Sequence, residues 1–115
     1  MKKVFVFALL ASGVMLFQYC NPAKKAQAAK VAPVTYAANI QSIMSANCTP
    51  CHFPPQGNKK PLNSYDAVKA NIDDILVRIN KNPNDRGFMP MRHPKLSDST
   101  IKVFEQWKAD GLLEK

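Results

Sequence analysis

An all-α fold of three to four short helices joined by long loops is what the sequence predicts. Apolar residues recur at helical spacing in three separate segments, and proline and glycine crowd the stretches between them. Nowhere does the alternation of a half-buried strand appear. A chain of 115 residues has room for one domain, which excludes a multidomain enzyme. Its core must be small, and the 46% hydrophobic content is swollen by an apolar N-terminus. A disulfide, a metal or a cofactor is therefore expected to reinforce the folded part.

Taken in order, the chain opens with an export signal over residues 1–20. Lys2 and Lys3 precede fourteen uncharged residues, Val4 to Phe17, and a polar stretch follows. Fourteen is short of the roughly 20 apolar residues that a spanning helix needs. Two processing sites compete. Ala26-Gln27-Ala28 has the small-x-small pattern of signal cleavage, and Cys20, directly after the apolar run, resembles the acceptor cysteine of a bacterial lipoprotein, with Tyr19 where a small residue is usual. Cys20 is also the odd cysteine of three, and an oxidising compartment penalises an unused thiol. Lipidation at Cys20, cleavage and an uncleaved anchor all stay open. Residues 21–35 mix Ala, Lys and Pro without apolar periodicity and read as a flexible tether, which leaves 36–115 as the folded domain.

Tyr36, Ile40, Ile43 and Met44 form the stripe of a first helix, with Thr35 as N-cap and an end near Asn47. Residues 53–63 hold three prolines and a glycine and must be loop. Ser64 caps a second helix or a broken pair, whose later half carries Ile72, Ile75, Leu76 and Ile79 on one face. Pro83, Gly87, Pro90 and Pro94 break the chain again before Ser97-Asp98 opens the last helix. Ile101, Val103, Phe104 and Trp107 make its apolar side, and Gly111 is placed to end it. So little regular structure with such long loops suggests loops that wrap something.

The formal charge of +8 is not evidence for a nucleic-acid partner. Lys2, Lys3, Lys24, Lys25 and Lys30 all precede the domain, leaving 11 basic against 8 acidic side chains from residue 31 onward. No basic run with interleaved aromatics occurs there, so no nucleic-acid binding is expected.

Cys48-Thr49-Pro50-Cys51-His52 is C-x-x-C-H, the signature of covalent haem c attachment. Two thiols three residues apart can each add to one vinyl group of a haem, and the adjacent imidazole can then bind the iron axially. Three other chemistries share the spacing. A thioredoxin-like dithiol wants a βαβ setting that the chain lacks. A zinc site would have to draw on Cys48, Cys51, His52 and His93, and a Cys48–Cys51 disulfide would close too small a loop to stabilise much. A haem iron that carries electrons also wants a sixth ligand, and Met89, Met91 and His93 stand together in the loop Gly87-Phe88-Met89-Pro90-Met91-Arg92-His93.

With Tyr36-Ala37-Ala38-Asn39-Ile40 ahead of C-x-x-C-H, and Met89-Pro90-Met91 ahead of Leu96-Ser97-Asp98, residues 36–115 resemble a single-haem class I c-type cytochrome of the bacterial kind. The resemblance implies a small cytochrome c-like bundle of three to four helices, with loops wrapping one covalent haem c. It implies thioethers at Cys48 and Cys51, His52 as proximal ligand and Met89 as distal ligand. Met91 stands where the family usually has Pro or a small residue, so Met91 and His93 remain alternative distal ligands. Phe104 and Trp107 are expected against Tyr36 and Ile40, and Met44 in the core.

The function so implied is one-electron transfer by an exported carrier, not an enzyme, working in the periplasm or cell envelope between redox partner proteins. A membrane tether through the N-terminus is one form of it, and Lys59 and Lys60 are candidates for steering an acidic partner. Two alternatives are a haem-containing accessory module docked on a larger redox or secreted enzyme, and a gas-binding haem protein with an open distal site.

Overall fold

Thr35 starts the folded part by the capping its sequence suggests, with a twist in the backbone that the periodicity does not show. A computed structural model describes residues 31–115. The expected export signal, the lipidation candidate Cys20 and the expected tether up to residue 30 lie outside the described residues. The Thr35 hydroxyl accepts from the Ala38 N–H at 3.3 Å, and Asn39 Oδ1 accepts from the Thr35 N–H at 3.0 Å. The turn Tyr36–Ile40 is π-helical, and only then does the chain tighten into α1, Gln41–Asn47. The remaining free N–H groups of the helix start find partners far away in sequence. Tyr36 donates to the Leu113 carbonyl at 2.8 Å and Ala37 to that of Glu114 at 3.0 Å. Donors that an isolated helix would leave to water are thus satisfied by the C-terminal tail.

The second region is the broken pair. α2, Tyr65–Ala70, is capped by Ser64, whose hydroxyl accepts from Ala67, and Asn71 (φ −118°, ψ 12°) interrupts the helix before α3, Ile72–Asn80. Asn71 Nδ2 closes α2 by donating to the Ala67 carbonyl at 2.7 Å. The same device ends α1, through Asn47 to Ile43, and α3, through Asn80 to Leu76, each at 2.9 Å. Ile72, Ile75 and Ile79 of α3 are buried, each burial contributing about 1.5–3 kcal/mol.

α4, Asp98–Ala109, starts on Ser97, whose hydroxyl accepts from Thr100, and buries Ile101, Phe104 and Trp107. Gly111 (φ 91°) and Leu112 (φ 58°) both take the left-handed conformation, which turns the chain back on itself. The tail then runs beside the start of the domain, with an isolated parallel bridge between Thr35 and Leu113. Tyr36, Tyr65 and Trp107 meet as a trio, their centroids 5.7, 6.1 and 6.3 Å apart. Trp107, Phe104, Ile40, Met44 and Val68 are the most deeply buried side chains of the core.

Among the described residues the structure is all-α and holds no strand. Packing begins slightly before residue 36, because Val34 rests on the core and its N–H donates to the Asp110 carboxylate at 2.7 Å. No helix among the described residues is long and apolar enough to cross a membrane.

Candidate functional site

The C-terminal end of α1 delivers the cysteine motif. Cys48 caps the helix, its N–H donating to the Met44 carbonyl at 2.9 Å, and the next turn closes with His52 N–H on the Cys48 carbonyl at 3.0 Å. The loop that follows then folds back over the motif. Gly57 donates to Phe53 at 3.0 Å, Lys59 to the Cys51 carbonyl at 3.1 Å, and Leu62 to the His52 carbonyl at 3.0 Å. Gly57 is required by this closure, since a Cβ there would stand 2.1 Å from the Pro50 oxygen and 2.2 Å from the Cys51 oxygen.

This return loop sets the histidine. His52 Nδ1 lies 2.7 Å from the Lys60 carbonyl. A carbonyl only accepts, so Nδ1 carries the hydrogen and Nε2 of the neutral ring keeps its lone pair. Metal-binding histidines are oriented in this way, by a bond from the other ring nitrogen.

Cys48 and Cys51 are free thiols, both half-buried. Burial pushes the Cys48 thiol up from 9.0 to about 11, and the group donates weakly to the Met44 thioether at 3.7 Å. Among the described residues no three His, Cys, Asp or Glu side chains converge as ligands of a metal ion, so Cys48, Cys51, His52 and His93 do not form the zinc site that their types allow.

The methionine loop is pinned to α3, with Met89 N–H on the Arg78 carbonyl at 3.3 Å. Met89 is half-buried between the buried Phe88 and Pro90, whereas Met91 is 67% exposed and His93 is exposed. Cys48, Cys51, His52, Met89, Met91 and His93 all line one cavity of about 780 Å³. Its apolar lining includes Ile43, Ile75, Ile79, Leu96 and Phe104, and Lys59, Lys60, Arg78 and Arg92 share it with one acidic residue, Asp74. A hydrogen bond from Arg78, at 2.8 Å, holds the Asp74 carboxyl below its usual range.

The structure thus brings together every site residue that the sequence nominates within 31–115. The sequence reading missed the orienting carbonyl of Lys60, the close approach at Gly57, and the Asp74–Arg78 pair. For Gly57 a signal was present, a glycine six residues after the second cysteine in a proline-rich loop. No sequence pattern marks a backbone carbonyl. The cavity lies within the 300–1,000 Å³ typical of cofactor sites. Two thiols, an imidazole with Nε2 left to bind and a thioether are the donors a covalent haem needs, and these residues fit that group. Comparison with protein-family models, with curated proteins and with solved structures finds no match for the chain.

Proposed function

We propose that the chain belongs to the class of c-type cytochromes, with one haem attached through Cys48 and Cys51. In particular, it serves as an exported carrier that passes one electron at a time between redox partner proteins. The observation that carries this reading is the arrangement at His52: an imidazole adjoining two free thiols, tied at Nδ1 to the Lys60 carbonyl, on a cavity that Met89 also lines.

When bound, the haem supplies an iron that alternates between ferric and ferrous states. His52 would hold the iron through Nε2, and its bond from Nδ1 to the Lys60 carbonyl holds the ring's orientation and favours Nε2 as a donor. Met89 would supply a second iron ligand through its thioether, on a loop stiffened by Pro90 and flanked by the buried Phe88 and Pro90. With His52 and Met89 both available to hold the iron, electron transfer would need no change of protein ligand. Ile75, Ile79 and Phe104 keep water from the cavity wall and so limit reorganisation. Lys59, Lys60, Arg78 and Arg92 around the cavity favour encounter with an acidic partner. Export belongs to the reading because haem c is attached outside the cytoplasm, and Val4 to Phe17 would direct it.

The test is an optical spectrum of the protein produced with the c-type maturation machinery. Sharp α and β bands on reduction, the weak long-wavelength band of an iron–thioether bond on oxidation, and indifference to carbon monoxide are expected. A spectrum that carbon monoxide shifts readily would replace the carrier with a gas-binding protein. Absence of covalent haem would sink the reading.

A further inference from the structure

We infer that the side chains of Lys60 and Asn71 are positioning residues for His52, an inference that rests on the haem reading above. A loop carbonyl orients an imidazole only as well as the loop itself is held. The bonds from Lys59 to Cys51 and from Leu62 to His52 join the loop to the cysteine motif, and the buried Leu62 side chain holds the far end of the loop in the core. The Lys60 side chain makes a different connection. Its ammonium donates to Asn71 Oδ1, at the junction of α2 and α3.

Asn71 is well fixed to receive it. Its N–H donates to the Val68 carbonyl at 3.1 Å, its carbonyl accepts from Ile75 at 2.9 Å, and its Nδ2 donates to Ala67 at 2.7 Å. Val68 and Ile72 on either side are buried at 0% and 4% exposure. The carbonyl and the ammonium of one residue therefore link the histidine to a helix junction anchored in the core. Loosening that link weakens the Nδ1–H bond, lowers the basicity of Nε2 and so disfavours ferric iron. The reduction potential should then rise.

The test uses the haem-loaded full chain with Lys60→Met, Asn71→Leu, both together, and Lys60→Arg. Two quantities are read, the hydrogen-exchange rate of His52 Nδ1–H by NMR in the reduced protein and the reduction potential. Each single variant should speed exchange by up to about tenfold, the change expected when the local opening is eased by one hydrogen bond. The double variant should be no faster than its faster parent, because the pair acts as one link. Asn71→Leu, which leaves the charge unchanged, should raise the potential, and Lys60→Arg should restore both readings. Wild-type exchange in Lys60→Met, which spares the helix junction, overturns the inference; so do two independent, multiplying effects. If those results come with haem attached, the cytochrome reading survives. If the unaltered chain takes up no haem, both fall.

Discussion

The indole of Trp107 donates through Nε1 to the Leu113 carbonyl at 2.8 Å, and the same oxygen accepts the Tyr36 N–H at 2.8 Å. One carbonyl of the C-terminal tail thereby joins the last helix to the start of the first, and the rings of Tyr36 and Trp107 also meet each other and that of Tyr65. Trp107→Ala should cost about 3–5 kcal/mol, the range for a buried aromatic cut to a methyl. That is a large part of the stability of a small domain, so the denaturant midpoint should fall steeply. Trp107→Phe, which keeps a ring and loses the hydrogen bond, should cost less than half as much.

Two glycines should respond to alanine for different reasons. At Gly57 the new Cβ meets the backbone oxygens of Pro50 and Cys51 at 2.1 and 2.2 Å, and backbone cannot step aside cheaply. Gly57→Ala should cost about 1–3 kcal/mol and reduce the yield of covalent haem, since the loop that orients His52 must open. At Gly111 nothing lies within 4 Å of a Cβ, but φ is +91°. Gly111→Ala should cost about 1–2 kcal/mol through the left-handed backbone alone and leave the haem yield unchanged. Thermal melts and the haem-to-protein absorbance ratio separate the two.

The ligand role proposed for Met89 is open to a direct comparison. Met89→Ala should abolish the iron–thioether band, lower the reduction potential and admit carbon monoxide, because a thioether ligand favours the reduced ion. Met91→Ala should leave all three as they are, since Met91 projects 67% exposed beyond the buried Pro90. The reverse result would move the ligand assignment to Met91.

Alkaline pH should weaken the fold through Tyr36. Burial pushes its phenol up from the usual 10.0, so the unfolded chain loses that proton first. The contribution is complete below pH 10.0 and is lost as pH climbs through the higher folded value. Denaturant titrations of the wild type and Tyr36→Phe, run from neutral pH to pH 11, should show a shallower alkaline decline in the variant. Parallel curves would remove Tyr36 from the account.

What the sequence determined by itself is whatever depends on neighbours within a turn or two. Thr35, Ser64 and Ser97 cap helices because a hydroxyl reaches an N–H three residues on. Gly111 ends the last helix because its backbone tolerates a positive φ, and the isoleucine spacing on α3 chooses the buried face. The close grouping of Cys48, Cys51 and His52, and of Met89, Met91 and His93, is local in the same sense. Tertiary structure alone decided how the parts meet. That Leu113 and Glu114 would satisfy the first N–H groups of the opening helix is a partnership across more than 70 residues. The π-helical form of Tyr36–Ile40 accompanies that docking, and helical periodicity is blind to it. The tie from Asn71 through Lys60 to His52 is likewise beyond any pattern of residue types, because a backbone carbonyl is present at every position and only folding selects which one faces the imidazole.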